Sequence, residues 1–360
     1  MSFCRMTSRT PIGLDIGGRH VKAVQLERVR GKSQWRLTAA VCFARQTPGQ
    51  PTDSAELRSI ADILERRGFV GNRFVVPVPA EYLIGGVLDV PARTAAVPVE
   101  QIARMELART TRCRPTSFEM GCWYLPASNR ANRKPQVMAV GCTHQEANGL
   151  LEKFDSQRLD VVALDVRSCA LARVTAPICS TENSLFAILD LGWGSAMVVM
   201  MYGGAIVFAR SLADAGTRSL HESLHSRLGL DTDVADYLLN DPGAAADTSP
   251  RHEIDPPAEA KNLLSAYIDS LLQELKVSFS YVTHEYPDTP LSGLLLSGSN
   301  AGMPRLASRL EDALGVEARV IAPPQLVECP PALLENGSSP SLTAAVGLAQ
   351  FKPEDQPCGV

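Results

Sequence analysis

The sequence predicts an α/β fold of two duplicated halves that face each other across a phosphate-sized gap, and three observations carry that expectation. The run 11–26 is apolar, breaks at a turn holding Asp15, Gly17, Gly18 and Arg19, and resumes as a second strand through Val21, Lys22 and Val24. The same strand-turn-strand pattern recurs over 186–200, where Asp190 precedes Gly192, Trp193, Gly194 and Ser195. Two further segments complete a nucleotide-site order. The strand 161–165 ends in Asp165, and the apolar run 294–296 enters the small-residue turn Ser297, Gly298, Ser299, Asn300, Ala301, Gly302. Glycine lets backbone amides approach a polyanion, and a neighbouring carboxylate can orient metal-bound water. A Gly-rich hairpin alone is usually only a tight turn, so the pairing of the units and their order carry the weight.

The elements follow from changes of period. Residues 12–26 and 35–43 alternate or run apolar as strands, 54–67 has helical spacing through Leu57, Ile60, Ala61 and Leu64, and 74–78 is a short strand. Residues 91–152 read as a smaller insertion. It holds a helix over 98–111, strands over 117–125 and 136–142, and a helix over 144–154. Its turn 126–135 is basic and is expected to be a solvated hairpin tip. The second half starts near Leu185 and contains a polar excursion, 241–257, that reads as a surface loop. The apolar stripe of Leu263, Leu264, Tyr267, Leu271, Leu272, Leu275, Phe279 and Val282 then marks a long core-packing helix. After the last strand, Leu306, Leu310 and Leu314 place a helix at the end of the small-residue turn. The predicted organisation is a first domain over 1–184 containing the 91–152 insertion, a second over 185–350, and a polar tail over 351–360.

Composition excludes several classes. A chain of 360 residues is about two domains long. A net charge of −4 with 21% charged residues gives no argument for a nucleic-acid partner. No apolar run approaches the roughly 18 residues of a membrane span, and the first ten residues lack a hydrophobic signal core, so membrane attachment is expected only through a partner. Nine cysteines are scattered without a Cys-x-x-Cys pair, which predicts reduced thiols in a cytoplasmic protein.

Asp15 to Lys22, Asp165, Asp190 to Ser195, and Ser297 to Gly302, in this order, resemble the two phosphate motifs, the connecting segment and the adenosine motif of the actin-like ATPase superfamily. Thr343 to Ala349 resembles its closing helix. The resemblance implies an actin-like (ribonuclease H-like) two-lobed fold with a small inserted subdomain. Val21-Lys22-Ala23-Val24, Ala170-Leu171-Ala172-Arg173 and the stretch 203–210 are closer still to the PilM family of type IV pilus assembly, with its relatives in type II secretion. That likeness implies ATP and Mg2+ in the cleft. Phosphates would meet Gly17, Gly18, Gly192, Gly194 and Ser195, with Arg19 and Lys22 nearby, and adenosine would meet Gly298, Ser299, Asn300 and Gly302. Asp15 and Asp190, joined by Asp165, would hold the metal through water. It also implies a partner, the cytoplasmic tail of a PilN-like bitopic inner-membrane protein. That tail would lie in a groove formed by 81–90 and the helix 99–108, at the inner face of the cytoplasmic membrane and within reach of an assembly motor ATPase.

Departures from the motifs predict weakened or vestigial nucleotide binding. Trp193 stands where a small residue is usual, Gly298-Ser299-Asn300 replaces a glycine run, and Leu239 takes the place of a lysine beside the nucleotide. Trp193→Gly with Leu239→Lys is therefore expected to strengthen Mg-ATP binding by more than about tenfold. No catalytic residue is assigned. The expected role is an adaptor, and the alternative is a small-molecule kinase of the sugar kinase and actin superfamily, for which Asp165 is the candidate general base.

Overall fold

The computed structural model describes residues 9–28, 34–91, 98–127, 134–179, 184–240 and 258–352. The first half runs β1 (Ile12–Ile16), β2 (His20–Arg28), β3 (Trp35–Ala44), α1 (Ser54–Arg66), β4 (Arg73–Pro77), β5 (Leu83–Asp89), α2 (Val99–Thr111), β6 (Phe118–Tyr124), β7 (Gln136–Thr143), α3 (His144–Asp155), β8 (Asp160–Asp165) and α4 (Arg167–Cys179). The second half runs β9 (Leu185–Leu191), β10 (Ala196–Tyr202), β11 (Ala205–Leu212), α5 (Arg218–Leu228), α6 (Thr232–Asn240), α7 (Ala258–Glu285), β12 (Leu291–Gly298), α8 (Leu306–Leu314) and β13 (Ala318–Val320). Two single turns, α9 (Pro323–Leu326) and α10 (Leu334–Gly337), lead to the last helix, α11 (Thr343–Ala349).

The duplication seen in the sequence is a duplication of topology. One five-stranded sheet has the order β3-β2-β1-β4-β8 and the other β11-β10-β9-β12-β13. In each, an antiparallel meander is followed by two parallel neighbours. Strands β1 and β9 lie centrally, covered on both faces, which explains why they read as continuous apolar runs instead of alternating. The third sheet, β5-β7-β6, has three strands and packs on α2 through Leu88, Ala103, Leu107, Phe118 and Val137.

Two details differ from the expected insertion of 91–152. The small sheet takes its edge strand β5 from before residue 91, because Leu83–Asp89 pairs with residues 136–142 of β7. Helix α3 carries Phe154 into the core of the first large sheet, beside Leu57, Leu64 and Phe74. The stripe on α7 packs into the second sheet, as its spacing predicts. Residues 128–133 of the basic turn, the excursion 241–257 and tail residues 353–360 lie outside the described residues.

Helices α4 and α11 pack on each other between the two large sheets. Leu171 and Ala172 of α4, with Ala344 of α11, meet Ile188, Val199 and Leu295 of the second sheet. Ala345, Val346 and Ala349 of α11 meet Val24, Leu26 and Leu37 of the first. Small residues make this layer thin enough. A β-carbon on Gly13 would lie 2.2 Å from the Ala345 carbonyl oxygen, and one on Gly347 2.0 Å from that of Ala170. The layer brings the N-terminus of α4 to the ends of β1 and β9.

Glycine substitutions are expected to have opposite signs by position. Gly13→Ala and Gly347→Ala force backbone apart and should each cost about 1–3 kcal/mol or more. Gly149→Ala, on α3 with open space around it, should stabilise by about 0.5–1 kcal/mol. Urea unfolding midpoints of the three variants check both signs.

Candidate functional site

Strands β1 and β9 each deliver an aspartate near their C-terminal end, and the two carboxylates meet one guanidinium. Arg167 Nη1 donates to Asp15 Oδ1 at 2.8 Å, and Arg167 Nε donates to Asp190 Oδ2 at 2.7 Å. Both aspartates are 2% exposed. The remaining carboxylate oxygens are also engaged. Lys22 Nζ lies 3.0 Å from Asp15 Oδ2, and Ser297 Oγ donates to Asp190 Oδ1 at 3.1 Å. The β1–β2 register pairs Asp15 with Lys22 directly, so both side chains stand on the same face of the sheet. Burial alone would raise the Asp15 carboxyl, but the charges of Arg167 and Lys22, and their hydrogen bonds, outweigh it and hold it at about 2.

The turn amides close on their own loops. Gly17 N donates to His20 O at 2.9 Å and Gly192 N to Ser195 O at 3.1 Å, so each hairpin spends one of the amides expected to receive phosphate. The first turn is braced from outside by Arg45, whose Nη1 donates to Gly17 O at 3.2 Å while its Nε donates to Glu56 at 3.0 Å. The second turn is braced by Gly216, where a β-carbon would lie 2.4 Å from the Gly194 carbonyl carbon.

A second contact across the gap lies above the aspartates. Arg19, on the first turn, pairs with Asp236 of α6 at 2.6 Å and stacks over the Trp193 ring at 5.2 Å. Trp193 also packs beside His221, ring centroids 4.7 Å apart, and a β-carbon on Gly18 would come within 3.1 Å of its indole. His221 holds Asp236 at 2.8 Å. Burial would raise the Asp236 carboxyl, but hydrogen bonds from His221 and Arg19 hold it below its ordinary value. Burial, with the charges of Arg19 and Lys22, pushes the His20 imidazole down. Beside this cluster opens a cavity of about 430 Å³ lined by Arg19, His20, Trp193, Asp236, Asn300 and Ser341, among others.

Of the residues expected to hold nucleotide, Arg19, Ser299, Asn300 and Gly302 line this cavity. Asn300 Nδ2 donates to Thr217 Oγ1 at 2.8 Å. Gly298, at φ +97°, lets β12 lie against Leu191 of β9, a packing role within the sheet. Asp165 is not joined to the other two aspartates. Its Oδ2 pairs with Arg173 at 2.8 Å, and that guanidinium also donates to Gly347 O, tying β8 to the α4–α11 layer. Leu239 does not face the cavity but is buried in the second-sheet core, so lysine there would place an ammonium among apolar side chains. Asp236, about one turn earlier, is the α6 residue that reaches the cavity. The Leu239→Lys expectation is corrected accordingly.

Arg167 escaped sequence reasoning, although it carried a signal. A cation in the first turn of a helix opposes the macrodipole, so it calls for anions nearby. Asp15 and Asp190 do not fit the Mg2+ that the resemblance implies, because the atoms that would coordinate the hydrated ion already hold Arg167, Lys22 and Ser297. Among the described residues, no group of three or more His, Cys, Asp or Glu side chains is arranged to hold a metal ion.

A family model described as type IV pilus assembly protein PilM matches residues 13–351. The solved PilM-PilN type IV pilus biogenesis complex is similar at 22% identity and a TM-score of 0.74, covering 94% of this chain and 97% of that one. The ethanolamine utilization protein EutJ from Carboxydothermus hydrogenoformans is similar at 13% identity and TM-score 0.52, covering 95% and 89%. MreB 5 of Spiroplasma citri bound to AMPPNP is similar at 11% identity and TM-score 0.52, covering 96% of each. These likenesses establish the actin-like ATPase fold. No curated protein matches the chain.

Arg167→Met keeps the aliphatic stem and removes the charge, and should cost about 3–5 kcal/mol at neutral pH by leaving Asp190 buried without a cation. The pH dependence has a defined sign. Because the folded Asp15 carboxyl sits at about 2 against an ordinary 3.8, its contribution is complete above about pH 4 and is lost as pH falls through about 2. That loss is worth about 2 kcal/mol in the parent and should shrink in Arg167→Met. Urea unfolding at pH 7, 4 and 2 measures both effects.

Proposed function

Because the chain belongs to the PilM family of type IV pilus assembly proteins, we propose that it is an actin-like adaptor for a type IV pilus or type II secretion inner-membrane platform. It binds the cytoplasmic tail of a PilN-like membrane protein and in doing so sits at the inner face of the cytoplasmic membrane, in reach of an assembly motor ATPase. The family match over nearly the whole chain is the observation that carries this reading. None of the helices in the described residues is long and apolar enough to cross a membrane, in keeping with attachment through such a partner. On this reading residues 1–184 and 185–350 are the two actin-like domains, with α11 returning to the first.

The tail-binding groove is assigned to β5 and α2. Strand β5 ends the order β5-β7-β6, and among the described residues no strand pairs with its outer side, where an added strand would pair. Val87 on β5 is 38% exposed on the face of the small sheet opposite Leu88, where it would flank a strand added to the β5 edge, and Met105, 61% exposed, is a second apolar side chain on the solvent side of α2.

Nucleotide binding is weak or vestigial in this proposal, since one glycine amide of each turn and both aspartates have partners within the protein. The kinase alternative loses support because Asp165, its candidate base, is held by Arg173.

A peptide with the cytoplasmic tail of the PilN-like protein from the same cell should capture the chain at low salt. Val87→Asp should weaken capture by about tenfold, or 1.4 kcal/mol. Absence of capture removes the adaptor claim, and an undiminished Val87→Asp relocates the groove. Calorimetry with Mg-ATP should give a Kd weaker than about 100 µM. Tight micromolar binding by the unmodified chain would instead make it a nucleotide-dependent switch.

A further inference from the structure

We propose that Arg167 is a built-in replacement for a divalent cation: a tethered charge that joins the two sheets through Asp15 and Asp190 and holds the halves of the protein together without metal. The geometry is a bridge between sheets. Asp15 comes from the central strand of one sheet and Asp190 from the central strand of the other, and a single guanidinium donates to both, at 2.8 and 2.7 Å. Two nitrogens of a planar fork each meet a different carboxylate, an arrangement lysine could not reproduce.

The charges balance. Two buried carboxylates face two cations, Arg167 and Lys22, and the Ser297 hydroxyl satisfies a further carboxylate oxygen. A divalent ion entering this point would add two positive charges to a balanced buried cluster and would have to displace the guanidinium first. Arg167 also opens α4, where the helix dipole repels a cation, so its position is explained by the bridge and not by the helix. Behind it, α4 is fixed by α11 between the sheets, so the helix start that carries Arg167 is held in place. Arg19 reinforces the closure from the first turn by pairing with Asp236 on α6.

This inference does not depend on tail binding, and its readouts are separate from it. Thermal unfolding of the full chain is compared in EDTA and in millimolar MgCl2 or MnCl2, for the parent, Arg167→Ser, and Arg167→Ser with Asp190→Asn. The parent should melt at the same temperature in all three. Arg167→Ser should lose about 5 °C or more in EDTA and recover part of it in Mn2+, and the added Asp190→Asn should abolish the recovery. A parent stabilised by Mg2+, or an Arg167→Ser chain that melts like the parent in EDTA, overturns the proposal. If Arg167→Ser does not fold, Mn2+ binding to the parent decides by electron paramagnetic resonance. No bound ion supports the tethered cation, whereas stoichiometric Mn2+ that Asp190→Asn releases refutes it.

Discussion

The shared guanidinium of Arg167 is the contact on which the arrangement of the two sheets depends. A carboxylate buried at a strand end is costly unless paired, and here two such carboxylates, one from each half, are paired by the same side chain. The pairing is satisfied only if β1, β9 and the start of α4 converge on one point. That convergence requires the thin α4–α11 layer, which in turn requires Gly13 and Gly347. Polar interaction and close packing therefore specify the same geometry from opposite ends.

The cleft of this chain satisfies its own groups. In each hairpin one glycine amide donates within its turn, the aspartates are held by Arg167, Lys22 and Ser297, and Arg19, Trp193, His221 and Asp236 form a second contact across the gap. A cleft built this way has less to gain from a polyanion and its metal, because each new contact replaces an existing one. What it retains is a fixed relation between two lobes.

Much of this was legible in the sequence. The repeated apolar run ending in Asp and glycine located both central strands, and the four-residue leucine spacing located the helices. Lys22 could also have been read, since counting back across the hairpin from Ile16 and Val21 places it opposite Asp15. Arg167 and Asp236 were harder, because each acts across the gap on residues far away in sequence, and local period carries no information about such pairings. The contacts of Asp165 and Leu239 were hidden for the same reason. Each sits at a position the family motif marks, yet Asp165 finds Arg173 two helical turns on, and Leu239 points into the core of α6, α7 and the second sheet. The start of the small sheet was missed because Leu83–Asp89, with two glycines and only Leu88 fully buried, has the weak alternation of an edge strand.

The return of α11 to the first sheet has a consequence for how the chain is made. Val24, Leu26 and Leu37 are covered by Val327, Leu342, Val346 and Ala349, residues that leave the ribosome some three hundred positions later. The first lobe is therefore left with an open apolar face throughout synthesis of the second, and it cannot complete its core as an independent vectorial unit. That face closes only when α11 packs on it, and an apolar surface exposed for so long favours misassociation of the growing chain.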